Sequence, residues 1–149
     1  MACQVPDALL AVPPSERIER VRMNYDLAVL DGSHFFVRAC MQVPIIGTES
    51  HFVWGLWAEV SHADFEDYCR TSEKNTVGGP YQGTLANGLP FYPDCLGIPV
   101  LVQPQPEDQR PLLFTPNGDS SLALHLREGM PEADAGLYFE HMLHPGTMH

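Results

Sequence analysis

The chain predicts an α+β domain, a mainly antiparallel sheet with helices packed on one face. Three observations carry this expectation. Asp31-Gly32 sits between two apolar runs, a strong hairpin signal. Phe35–Val43 and Phe52–Val60 then alternate strictly, so each sends successive side chains to opposite faces. Helical spacing and capping residues appear only before, between and after such runs, as consecutive hairpins with helices laid against them require.

Taken in order, Pro6–Val12 is short and apolar and ends at Pro13-Pro14. Ser15 is a suitable N-cap for a helix over Glu16–Met23, with Ile18, Val21 and Arg22 on one face. Leu27–Leu30 is apolar on both faces, the mark of an inner strand. After the turn, Phe35, Val37, Ala39, Met41 and Val43 share one face, and Phe36, Arg38, Cys40 and Gln42 the other. In the next strand Phe52, Trp54, Leu56, Ala58 and Val60 oppose His51, Val53, Gly55, Trp57 and Glu59. An antiparallel register with Val43 opposite Phe52 puts Met41 against Trp54, Ala39 against Leu56 and Val37 against Ala58. It also sets Arg38 across from Trp57, within reach of a cation–π contact. A slip of one residue would mix the faces.

Ser61 caps a short helix with Asp64 at its third position, and Phe65, Tyr68 and Cys69 form its buried stripe. Thr71–Gly79 is a polar loop. Tyr81–Leu85, Ile98–Val102 and Arg110–Thr115 are strands, joined by the turn-rich Asn87–Asp94, by Gln103–Gln109 and followed by Asn117-Gly118-Asp119. Leu122–Leu126 fits either a strand or the start of a helix. Pro131 opens a closing helix with Leu137, Tyr138, Phe139, Met142 and Leu143 on its apolar face, and His141 and His144 in its last turn, before Pro145-Gly146.

With 149 residues, 44% hydrophobic and 18% charged, residues 1–149 read as one domain. The net charge of −11 argues against a nucleic-acid partner, which needs clustered cations, and suits either a soluble protein that repels its own copies or one that meets a basic protein partner. Lys74 is the single lysine. Met1–Leu10 lacks a basic, long apolar leader and no stretch reaches membrane-spanning length, so the expectation is a cytoplasmic protein without a membrane partner. Cys3, Cys40, Cys69 and Cys95 show no Cys-x-x-Cys spacing, so neither a disulfide framework nor a thiolate zinc site is expected. His62 with Glu66, and His141 with His144, have ligand-like spacing without a third ligand. They read as helix-end residues, and no metal or other cofactor is expected. No Gly-x-Ser-x-Gly elbow or phosphate-binding glycine loop occurs. Cys40 shares a face with Arg38, where an inert thiol is the favoured reading.

Asp26-Leu-Ala-Val-Leu-Asp-Gly-Ser-His-Phe-Phe-Val-Arg38 resembles the central motif of a bacterial family catalogued as domain of unknown function 2199. Phe52-Val-Trp-Gly-Leu-Trp57, Leu89-Pro-Phe-Tyr-Pro-Asp94, Arg110-Pro-Leu and Leu122-Ala-Leu-His-Leu-Arg-Glu-Gly129 are similar to its other motifs, in order, over Asp7–His144. The resemblance implies no activity. Family members often begin with a Cys-x-x-Cys-Gly-like segment; only Cys3 remains here, so a metal site of that kind is absent. The family's His-Pro-Leu-Ala appears as Ser120-Ser-Leu-Ala123, and no role for that histidine carries over.

The candidate ligand- or partner-binding residues are Phe36, Arg38 and Trp57 on the second sheet face, with Tyr92 nearby and Arg110 as a further cation. Trp and Arg favour binding hot spots. The bland reading, a helix covering this face with Arg38 as a rim clamp, is preferred. Two functions follow. One is a non-catalytic binding module for a protein, of which an immunity-type protein blocking a basic toxin is one version. The other is a small ligand-binding domain or enzyme with a pocket between sheet and lid. A homo-oligomer built through the sheet edge or closing helix is compatible with both.

Overall fold

The computed structural model describes residues 2–116 and 118–143. Its elements are α1 (Asp7–Leu10), a 3-10 turn at Pro14–Glu16, α2 (Arg17–Arg20), β1 (Val21–Met23), β2 (Leu27–Leu30), β3 (His34–Pro44), β4 (His51–Val60), α3 (His62–Glu73), β5 (Tyr81–Leu85), β6 (Pro99–Gln103), β7 (Leu112–Phe114), α4 (Ser121–Glu128) and α5 (Glu132–Leu143). Asn117 of the expected turn, the side chains of Met142 and Leu143, and residues 144–149 lie outside the described residues.

Asp31 and Gly32 both take left-handed backbone angles, φ 54° and 64°. Ser33 donates its N–H to the Leu30 carbonyl at 3.1 Å. Two successive positive φ values twist the turn in the sense that matches the flanking strands, which is why Asp-Gly works here. Arg20 grips the turn from outside, donating Nε and Nη2 to the Asp31 carboxylate at 2.8 and 3.0 Å.

The helix expected over Glu16–Met23 stops at Arg20. Val21–Met23 instead runs as β1 beside β2, with Val21 opposite Leu30 and Met23 opposite Ala28. Two forces favour the strand. It satisfies backbone groups along an otherwise open edge of β2, and the helical alternative had no core to face, since Ile18 is 86% exposed. No side chain caps α2; Ser15 sits in the preceding 3-10 turn.

The β3–β4 ladder has the expected register: Val43 opposite Phe52, Met41 opposite Trp54, Ala39 opposite Leu56, Arg38 opposite Trp57 and Val37 opposite Ala58. Strand order follows chain order from β1 to β7, each neighbouring pair antiparallel. The sheet does not stay open. β7 returns to β3 in parallel, Cys40 opposite Leu112, so β3–β7 close a five-stranded mixed barrel within the α+β class. The expected strand from Arg110 is cut to Leu112–Phe114, partly because Pro111 has no N–H to pair.

Val37, Ala39, Met41, Val43, Phe52, Trp54, Leu56 and Ala58 point into the barrel with Leu85, Val102 and Leu113. Phe65 and Tyr68 of α3, Leu122 of α4, and Ala135 and Tyr138 of α5 pack on the same cluster. Ser61 caps α3 as expected, accepting from the Asp64 N–H at 3.1 Å. That helix runs on to Glu73, so the polar loop is shorter than expected, and its Phe65, Tyr68 and Cys69 are half-buried. Leu122–Leu126 belongs to a helix, capped by Ser120 accepting from the Ala123 N–H at 3.2 Å.

β5 crosses β4 closely at Gly83, where a Cβ would stand 2.5 Å from the Glu59 carbonyl oxygen. Gly83→Ala is expected to lower the free energy of unfolding by about 1–3 kcal/mol, the usual range for overpacking. Urea unfolding reads this directly, and an unchanged midpoint would contradict the close crossing. The Arg20 guanidinium holds the exposed Asp31 carboxyl below its ordinary pKa. The folded value lies under the unfolded one, so the pair stabilises above the unfolded pKa and fades as pH falls through the folded one. Carbon-detected NMR should find Asp31 titrating below the ordinary carboxylate range and rising in Arg20→Gln; identical titration in both chains would rule the pair out.

Candidate functional site

Phe36, Arg38 and Trp57 do come together on the outer face of the barrel. The Arg38 Cζ lies 5.6 Å from the Trp57 ring centroid. What covers them is the chain's own N-terminal segment, of which the one-turn helix α1 carrying Leu9 is part. Cys3 donates its N–H to the Gly55 carbonyl at 2.7 Å, and Asp7 to that of Ala86 at 2.9 Å. Leu9 and Val12 then pack with Phe36, Trp57, Ala28, Leu30 and Ala86 in a second apolar cluster. Phe36 and Trp57 are fully buried. The Trp57 indole Nε1 donates to the Cys3 carbonyl at 3.1 Å.

Asn87 pins this cover, and the sequence offered it only as a turn residue. Its buried Oδ1 accepts the backbone N–H of Trp57 at 2.8 Å, and its Nδ2 donates to the Val5 carbonyl at 2.9 Å and to Asp7 Oδ1 at 3.0 Å. Asp7 Oδ2 accepts the Gly88 N–H at 2.8 Å. The signal was an Asn-Gly pair inside the long connection from β5 to β6, not a tight turn between them; two of its partners lie about 80 residues away, beyond any local pattern.

Arg38 is 6% exposed. Its Nη1 donates to the Tyr25 carbonyl at 3.1 Å and its Nη2 to the Cys3 carbonyl at 3.3 Å, while Nε is buried without a partner. Among the described residues no carboxylate pairs with it. Among the described residues the charge meets the carbonyl dipoles of Tyr25 and Cys3 and the Trp57 ring. Asp26, next to Tyr25, gives its carboxylate to Arg110 instead, 2.9 Å from Nε.

Arg38 and Arg110 therefore flank one short connection, Asn24–Asp26. Asn24 Oδ1 accepts the N–H groups of Asp26 and Leu27, both at 2.8 Å, fixing the turn. Tyr25 at its tip is 83% exposed. On one side lies a cleft of about 520 Å³ lined by Gln4, Val5, Met23, Asn24, Tyr25 and Arg38. On the other lies a polar cleft of about 310 Å³ that includes Asp26, Tyr68, Gln105 and Arg110. Asn75, Glu107 and Asp108, which line the polar cleft, have φ of 55°, 61° and 60°.

Tyr92 is not part of this surface. The connection from Asn87 folds into the barrel, where Tyr92 meets Trp54 edge-on at 5.9 Å and its hydroxyl bonds His125 Nδ1 at 2.8 Å. Burial, then the neighbouring Tyr138, raises its pKa. Burial also raises the thiols of Cys3, Cys69 and Cys95, leaving them protonated and weakly nucleophilic at neutral pH. Tyr81 is pushed up to about 12, by burial and by its bond to Asp67. His62 and Glu66 form an exposed pair at 2.8 Å. No group of three or more His, Cys, Asp or Glu side chains is placed to hold a metal among the described residues.

These features define an acidic α+β barrel protein whose outer sheet face is closed by its own N-terminal segment. The chain belongs to the family described as uncharacterized protein conserved in bacteria (DUF2199), which matches residues 1–130 and so ends before α5. No curated protein and no solved structure matches it.

Asn87→Ala leaves the buried Trp57 N–H without an acceptor and releases Val5. The expected loss is about 1–3 kcal/mol in urea unfolding. A change within about 0.5 kcal/mol, the range of an ordinary surface substitution, would show that Asn87 does not hold the cover.

Proposed function

We propose that this protein is a non-catalytic, acidic binding module of the cytoplasm that engages a basic protein partner through the surface around Tyr25. The observation that supports this reading is Tyr25 itself, an exposed aromatic side chain on a backbone held by the Asn24 turn. A rigid, amphipathic anchor loses little entropy on binding, and tyrosine and methionine are enriched at interfaces. Met23, 43% exposed, lines the cleft beside Tyr25 and also a neighbouring one bordered by Leu10, 65% exposed. The net charge of −11 would speed association with a basic partner and oppose nucleic acid. An immunity-type protein that blocks a basic toxin is one concrete version.

In this reading residues 1–149 act as one domain, with α3, α4 and α5 packed against the barrel core and the N-terminal segment with α1 over the outer face. β1 is the last strand on its side of the sheet, so pairing with a second copy there is compatible with it. The second reading, a small ligand-binding domain or enzyme, is supported by the cleft over Arg38.

The test is capture from a lysate of the native host on the tagged full chain at low salt. A retained protein should be released by about 0.5 M salt, where surface charges are screened. Tyr25→Ala should retain at least about tenfold less of it, as for a hot-spot aromatic, with an unchanged thermal midpoint. A lysate that yields no salt-released partner, or the same proteins on both baits, would refute the proposal.

A further inference from the structure

We propose that the cleft over Arg38 binds a small monocarboxylate with an apolar body. The argument starts from an imbalance. A buried guanidinium normally has a carboxylate partner, because taking the charge out of water costs several kcal/mol. This chain has 19 acidic residues, yet none reaches Arg38 among those described. Two acids on the segments around it are committed elsewhere, Asp26 to Arg110 and Asp7 to Asn87 and Gly88. The fold uses two of the guanidinium's N–H groups on the carbonyls of Tyr25 and Cys3 and leaves Nε unmatched. For stability alone an apolar side chain of the same size would serve as well or better.

The cleft beside it says what would complete the charge. Its volume of about 520 Å³ lies in the range of small-molecule sites. Val5, Met23 and the Tyr25 ring give it apolar walls, and Arg38 is its one charged group. A carboxylate matches the planar guanidinium, and the walls accept a hydrocarbon body. A multiply charged phosphate fits less well, since one cation faces it in a chain of net charge −11. The same chemistry is offered by a free acid and by the C-terminal carboxylate of a peptide. The inference does not depend on the protein partner, because it is tested with small molecules alone.

The experiment is a nitrogen-edited NMR titration of the full chain with hexanoate, with hexanamide as the neutral control and N-acetyl-leucine as a peptide-end mimic. Hexanoate should bind saturably, shifting the amides of Val5, Met23 and Tyr25 and the Arg38 Nε signal. Hexanamide should bind about tenfold or more weakly, the loss expected for one charge-assisted hydrogen bond. Tighter binding of N-acetyl-leucine would assign the site to peptide ends, and tighter binding of hexanoate to free acids; both support it. Arg38→Met should abolish binding but also removes the bonds to Cys3 and Tyr25. Met23→Glu avoids that difficulty: at an exposed wall position it supplies a carboxylate from within. It should weaken hexanoate about tenfold with a thermal midpoint equal to or above that of the parent chain. Equal binding of hexanoate and hexanamide, no saturable hexanoate binding, or full hexanoate affinity in Met23→Glu would overturn the proposal.

Discussion

Along one edge of β3, His34–Val37 pair with β2 and Cys40 pairs with β7, while the opposite edge belongs to β4. β2 runs antiparallel to β3 and β7 parallel to it. Both strands therefore begin near the same point and diverge from it. At that point Arg38 donates its backbone N–H to Asp26 and Cys40 donates to Pro111. The ion pair between Asp26 and Arg110 joins the two strand starts. This handover lets one sheet be both a closed barrel and a longer ribbon. It also leaves a gap where the ribbon peels away, and the Asn24–Asp26 connection and its two clefts occupy that gap.

The long β3–β4 ladder makes the handover tolerable. Strand side chains have period two, so a single register assigns both faces at once. The inner face sets small residues across from larger ones, Ala39 from Leu56 and Ala58 from Val37, beside the large pair Met41 and Trp54, which suits the tight curvature of a small barrel. The outer face then presents Phe36 and Trp57, too large and apolar to face water. The N-terminal segment must cover them, and Asn87 supplies the polar fastening.

That division explains what could be read from the sequence. The Asp31-Gly32 turn, the β3–β4 register, the Arg38–Trp57 contact and the Ser61 cap are local or follow from one alternating pattern, and each was legible. The parallel return of β7 was not, because it rests on a three-residue strand whose partner lies about 70 residues earlier. The change from helix to strand at Val21 was hidden for a related reason: propensity and capping favoured a helix, and the free edge of β2 outweighed them. Of the proposed site residues, Phe36, Arg38 and Trp57 were placed together by alternation and the β3–β4 register. Tyr92 lay in a connection without periodicity, so its turn into the barrel left no mark. Tyr25, Met23 and Asn24 were missed because their importance comes from what lies beneath them, not from their own pattern.

Arg38 stands where these constraints meet. The alternation that buries Phe36 and Trp57 buries Arg38 between them in sequence, beside the strand handover and next to the cleft. Hydrophobic packing alone would favour a leucine or methionine at this position, and a purely structural clamp would be better served by a carboxylate such as Asp26 turned toward it. Instead Asp26 is drawn to Arg110, where it holds the strand starts together. The local structure thus uses Asp26 for topology and leaves its buried cation facing a cleft with apolar walls. An arrangement that is costly for folding is the reason to test the cleft for a carboxylate ligand.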